Sequence, residues 1–258
     1  MINRLAKITC LFAWILVVSG CANQKPANPQ SSTKIEQQNA DRLPPGIHNE
    51  TMVSSTGDTI RYTIAIPNNY DSANPTPLIV ALHFGGTVTP HFGRAIVEVL
   101  VAPGLEELQA IIISPDSIAG PWNNEKNENA VIELMDYAID NYNIDRDKTL
   151  LTGFSMGGHG TWYIGSRNQK RFSALIPIAG SPIVENGVQW STPIYAIHSR
   201  ADKVVPIGPT EKYMDSLKED GHNIVFVAVD DLTHFQTPSF STSLRDAVPW
   251  VRKVWSEK

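Results

Sequence analysis

Leu150-Leu151-Thr152-Gly153-Phe154-Ser155-Met156-Gly157-Gly158-His159-Gly160 runs from an apolar, β-like segment through a glycine-rich corner into a helix-like segment. Inside it lies Gly153-x-Ser155-x-Gly157, the spacing of a nucleophile elbow. Such a serine stands on a tight strand-to-helix turn, and its flanking glycines avoid a collision with the neighbouring strand or helix. With glycine and serine each at about 7% of residues, the pattern arises by chance in roughly 8% of chains this long. Its meaning therefore depends on what surrounds it: a base, an acid to orient the base, oxyanion donors and a suitable scaffold.

The scaffold is legible on both sides of the elbow. Residues 51–55 and 59–66 read as a hairpin about Thr56-Gly57-Asp58, because Ile60, Tyr62, Ile64 and Ile66 alternate with polar or small residues. Short apolar runs at 78–82, 110–114, 149–152, 174–179, 193–197 and 224–229 read as strands buried on both faces. Helical spacing is expected over 92–108 (interrupted at Pro103-Gly104), 129–142, 158–168, 209–219 and 239–255, with Pro249 bending the last. Strands alternating with helices imply a parallel sheet covered on both faces. An eight-stranded, mostly parallel sheet with an antiparallel first pair resembles the α/β-hydrolase fold. Ser155 follows the fifth strand, where that fold carries its nucleophile.

A serine hydroxyl needs a base to accept its proton and an acid to hold the base in one tautomer. In this fold the chain order is serine, acid, histidine. After the seventh strand comes His198-Ser199-Arg200-Ala201-Asp202-Lys203-Val204-Val205-Pro206, which makes Asp202 the acid. Beyond the last strand, Asp230-Asp231-Leu232-Thr233-His234-Phe235 supplies His234 as the base. His222 precedes that strand and falls at the wrong edge of the sheet, and His198 is expected to hold the acid loop. One oxyanion donor is the N–H of Met156, at a helix N-terminus. The second comes from His83-Phe84-Gly85-Gly86 after the third strand, from Phe84 or Gly85. A Phe84 ring turned toward the cleft would narrow the acyl pocket. Trp122 and Asn123, on the loop after the fourth strand, either line a substrate cleft or cover the core. No His-x-x-x-His, Gly-x-Gly-x-x-Gly or P-loop pattern is present, so neither a metal nor another cofactor is expected.

Asn143-Ile144-Asp145-Arg146-Asp147-Lys148, the elbow through Thr161-Trp162, Arg171-Phe172-Ser173-Ala174 and Ala247-Val248-Pro249-Trp250 together resemble bacterial carboxylesterases of the α/β-hydrolase superfamily. The similar groups are predicted peptidases, polyhydroxybutyrate-depolymerase-like and dienelactone-hydrolase-like enzymes. The resemblance covers nearly the whole domain and implies a serine esterase working through an acyl-enzyme. Cap domains of this fold usually enter after the sixth strand, where this chain has only residues 181–192. An open site without a large cap is therefore expected, one that admits bulky or polymer-borne esters such as acylated polysaccharides. A serine peptidase of the same fold, and a non-catalytic surface-binding protein, remain as alternatives.

The N-terminus points to export. Arg4 and Lys7 precede an apolar run over 8–18 that is short for a bilayer span, and Val18-Ser19-Gly20-Cys21 resembles the lipobox of bacterial lipoproteins. Residues 1–20 are expected to be a signal peptide and 21–45, rich in Asn, Gln, Ser and Pro, a lipidated disordered tether. Residues 46–258 form the α/β-hydrolase domain. A lipid on Cys21 would hold the protein on a membrane, by the outer-membrane default if the source is Gram-negative. The only other cysteine, Cys10, lies in the expected signal. A net charge of −5, with no basic run, argues against nucleic-acid binding.

Overall fold

The computed structural model describes residues 43–185 and 187–258. The expected signal peptide, Cys21 and all but the last three residues of the expected tether lie outside them. Eight strands form one sheet: β1 (Gly46–Val53), β2 (Thr59–Ile66), β3 (Thr76–Leu82), β4 (Ile111–Pro115), β5 (Ile144–Phe154), β6 (Ala174–Ile178), β7 (Ile194–Ser199) and β8 (Ile224–Val229). Their order is β1-β2-β4-β3-β5-β6-β7-β8. β2 pairs antiparallel with β1 and β4, and every other pair is parallel. This is the α/β-hydrolase architecture that the alternation of elements implied.

Alternation along the strands explains the layers. On β3, Leu78, Val80 and Leu82 face one side while Ile79 and Ala81 face the other, and all five are fully buried. Burying each Leu or Ile is worth about 2 kcal/mol, so both faces must be covered. Helical segments over 93–108 and the helices Phe240–Arg245 and Val248–Ser256 cover one face through Val97, Leu100, Phe240, Leu244 and Val251. The helices Glu125–Asn141, Met156–Arg167 and Gly208–Glu219 cover the other through Leu134, Met135, Trp162 and Met214.

Four elements depart from the sequence reading in ways that have a physical reason. β1 begins at Gly46, not at 51, because Gly46 pairs with Ile66 and the ladder runs on from there. It is an edge strand with little burial, so it carries no apolar alternation. β5 begins at Ile144, upstream of the apolar run, and its pairing with β3 shifts register between Thr76 and Leu78. The run 93–108 is not one interrupted helix. Gly93–Ile96 and Ala102–Leu105 are α-helical, Val97–Val101 between them widens to a π-turn, and Glu106–Leu108 is 3₁₀. A proline's ring crowds the carbonyl four residues earlier, and the π-turn directly before Pro103 opens that space. At the C-terminus Pro249 does not bend a helix. It sits in the first turn of Val248–Ser256, where its missing N–H costs nothing.

Candidate active site

β5 occupies the middle of the sheet and ends at Phe154, and the helix Met156–Arg167 starts two residues later. Ser155 makes the whole turn alone, at φ +56° and ψ −115°. That region is strained for any residue with a side chain, at a cost of about 1–3 kcal/mol. The surroundings hold it there. The Ser155 N–H donates to the Ile178 carbonyl at 2.9 Å. A Cβ on Gly157 would overlap the Leu82 carbonyl oxygen, and one on Gly153 would overlap the Gly157 carbonyl. Helix and strand thus approach to backbone contact, which tips Ser155 up to the carboxyl edge of the sheet.

Two loops at the same edge meet this serine. His234 Nε2 lies 2.7 Å from Ser155 Oγ, and its Nδ1 lies 2.6 Å from Asp202 Oδ2. Asp202 is 4% exposed, and its other oxygen accepts from the N–H groups of Val204 and Val205 at 2.9 and 2.8 Å. A carboxylate so ligated can turn neither away from the imidazole nor out to water. His234 packs on buried Phe154, with ring centroids 5.3 Å apart.

His198 stands behind this pair. It is fully buried, its Nε2–H donates to the Val205 carbonyl at 2.8 Å, and its Nδ1 lies 3.0 Å from the Thr210 hydroxyl. Val205 is therefore gripped at both ends of its backbone. Loss of hydration depresses the His198 pKa below the ordinary histidine value, so the ring is neutral. It lies 3.7 Å from Asp202 Oδ2, too far for a hydrogen bond.

The loop after β3 is locked from beneath. The Ser117 N–H donates to His83 Nε2 at 3.0 Å. The proton of this ring must then be on Nδ1, which donates to the Phe84 carbonyl at 2.7 Å. Burial depresses the His83 pKa as well, which keeps that tautomer neutral. In a trans peptide the N–H points opposite to the carbonyl, so the Gly85 N–H faces away from His83. Gly85 adjoins Met156, and a Cβ on it would sit 3.8 Å from Met156 Cβ. The Phe84 ring is half-buried, packing on the core and standing 5.6 Å from Phe92. The core and Phe92 brace it on that side.

For Trp122 the structure decides between the two alternatives. At 1% exposure it lies in the core, its Nε1–H donates to the His83 carbonyl at 2.9 Å, and it fills the space beside Gly160. It supports the β3 loop from inside and lines no cleft. Asn123 beside it is exposed. The loop bearing both is fixed by Asn127, which accepts from Ile118 and Ala119 N–H and donates to the Gly120 and Pro121 carbonyls. No periodicity marked Asn127, because a buried polar residue at a helix start looks like surface in a sequence. The remaining histidines bond elsewhere: His48 to Pro44, His91 to Tyr62, His159 to Ser181 and His222 to Trp190. Residues 179–193, apart from Asn186, contain no helix or strand.

Residues 122–252, just over half the chain, match the family model of phospholipases and carboxylesterases. Among curated proteins, the probable feruloyl esterase C of Aspergillus niger is 28% identical over 154 residues, 56% of this chain and 56% of its own. The chain thus spans little more than half the length of the curated relatives it matches. Among solved structures, a thermostable esterase superposes with a TM-score of 0.69 at 23% identity, over 81% of this chain and 63% of that one. A ferulic acid esterase from Anaeromyces mucronatus, solved with ferulic acid, gives 0.61 at 18% identity, over 81% and 91%. At these identities the structural likeness speaks for the fold.

Proposed function

The chain belongs to the phospholipase/carboxylesterase family of α/β hydrolases, and from that premise we propose that it is a serine carboxylesterase acting on bulky esters, with acylated and above all feruloylated polysaccharide as the substrate class. The observation that carries this reading is the unbroken Ser155–His234–Asp202 hydrogen-bond chain at 2.7 and 2.6 Å. The feruloyl esterase relatives support the substrate class.

In this mechanism Ser155 Oγ attacks the ester carbonyl as His234 Nε2 takes its proton. Asp202 holds Nδ1–H and stabilises the imidazolium that forms. The oxyanion is met by the N–H of Met156, the first residue of its helix, and by the N–H of Gly85. Gly85 is preferred over Phe84 because the His83 bond turns its N–H away from the ring and its Cα adjoins Met156. The imidazolium then protonates the departing alcohol, and water, activated by His234, releases the acid. Residues 46–258 carry this chemistry. Residues 1–20 would be cleaved before Cys21 and a lipid there would anchor the enzyme on a bacterial membrane, a reading supported by the sequence pattern 18–21.

Turnover of p-nitrophenyl acetate and methyl ferulate by the purified protein, and by Ser155→Ala, tests the assignment. The variant should lose at least about 10⁴-fold in kcat and escape labelling by a fluorophosphonate. Undiminished turnover in the variant removes Ser155 as the nucleophile.

A further inference from the structure

Five large apolar side chains are exposed among the described residues: Val53, Val88, Tyr137, Val204 and Phe235. Three of them sit on the loops that carry the oxyanion segment, the acid and the base. Val88 follows Gly85-Gly86, Val204 stands two residues past Asp202, and Phe235 adjoins His234. Phe235 is the most exposed, at 83%. Its ring stands perpendicular to the His234 imidazole with centroids 5.9 Å apart, whereas the other aromatic contact of that imidazole, Phe154, is buried. Phe235 therefore marks the solvent side of the base.

The local fold has no use for this ring. The turn closes through its neighbours: Thr233 N–H and Oγ1–H both donate to Gln236 Oε1 at 2.8 and 2.9 Å, and Gln236 N–H donates to the Thr233 carbonyl at 3.1 Å. A phenyl ring left in water gives up the burial that most phenylalanines obtain. Its place beside the base, with two further exposed apolar residues on the adjoining loops, points to a substrate.

The chemistry decides which half of the substrate. His234 takes the Ser155 proton and returns it to the departing alcohol oxygen, so the alcohol lies on the His234 side. The acyl carbonyl oxygen points the other way, to Met156 and Gly85. We propose that Phe235 is the platform of a leaving-group subsite that takes the C–H face of a sugar ring whose hydroxyl carries the acyl group. A furanose or pyranose has a polar rim and apolar C–H faces. Stacking one face on the ring removes apolar area from water on both partners and leaves the hydroxyls solvated. The open edge suits a polymer, since no helix or strand is described in residues 179–193 to cover it. The inference rests on the esterase reading above and deepens it.

Methyl ferulate and a feruloylated arabinoxylan oligosaccharide share an acyl group and differ in the alcohol, so their ratio of kcat/KM isolates the subsite. With the full chain, Phe235→Ala lowers the ratio of oligosaccharide to methyl ester about tenfold, mainly through KM, and Phe235→Tyr restores it because the ring is kept. An unchanged ratio in the alanine variant, or an equal loss in the tyrosine variant, overturns the subsite while the esterase reading stands. Wild-type protein that cleaves neither ester and resists the fluorophosphonate removes the esterase reading, and the subsite with it.

Discussion

His83 Nδ1 donates to the carbonyl of Phe84 at 2.7 Å, a bond between adjacent residues that fixes one peptide plane. The ring is held on its other side by Ser117 and met edge-on by Trp122, 4.9 Å away between centroids. Two separate loops, those after β3 and β4, thus converge to orient a single N–H, that of Gly85.

Removing the lock should cost catalysis before binding. His83→Asn is expected to lower kcat by about 10–100-fold with a small change in KM, because a misaimed oxyanion donor is missed mostly in the transition state. Steady-state kinetics on a soluble ester, with a melting curve to show that the variant is folded, provide the check. A raised KM with intact kcat would assign the loop to substrate binding instead.

Asp202→Asn keeps the shape of the acid loop but removes the charge that fixes the His234 tautomer. A loss of about 10³–10⁴-fold in kcat is expected, with a fold that stays intact because Val204 and Val205 still have an acceptor. Near-normal turnover in this variant would show that His234 needs no acid partner.

The elbow glycine can be tested for packing alone. Gly157→Ala drives a methyl into the Leu82 carbonyl and should destabilise the domain by more than about 3 kcal/mol or prevent folding. Gly208→Ala opens a helix where nothing lies within 4 Å of the added carbon, and should change stability by less than about 0.5 kcal/mol. Thermal unfolding of the pair compares them directly, and equal shifts would contradict the close approach.

Burial depresses the pKa values of both His83 and His198 in the folded state, so the unfolded chain binds their protons first as pH falls. Their contribution to stability is complete above the unfolded value, about 6.5, and is lost as pH drops below it toward the folded values. Each site adds a slope of up to about 1.4 kcal/mol per pH unit in that window. Urea midpoints measured from pH 7.5 down to pH 5 should fall, and His198→Asn should flatten the trend. A flat wild-type profile would mean that neither ring is protected.

Cys21→Ser should move the protein from the membrane pellet to the soluble fraction and abolish labelling by radioactive palmitate, with esterase turnover unaffected. Persistent membrane association in that variant would point to a retained apolar N-terminus as the anchor.

Much of the candidate site is legible in the chain because its grammar is local. An elbow needs glycines at two fixed positions around Ser155, and a strand buried on both faces needs an unbroken apolar run. Counting such runs places Ser155 after the fifth strand, and the loops after the seventh and eighth contain Asp202 and His234. What stayed illegible is polar and buried. Asn127 and His83 resemble surface residues in one dimension, since their partners are backbone groups brought near by folding. Trp122 was ambiguous for the same reason: an indole packs equally well in a cleft wall or a core, and the Gly160 gap with the His83 carbonyl decides for the core.

The alternation of apolar strands and amphipathic helices was enough to specify the sheet, its two covered faces and the edge at which the functional loops emerge. Periodicity encodes which side of each element avoids water, and that needs no knowledge of distant partners. The orientation of the Gly85 N–H, the packing of the Phe84 ring on the core and the solvent-facing ring of Phe235 came only with the assembled structure. Each depends on the direction of a bond vector relative to residues many positions away, and such directions exist only after the loops have closed on one another.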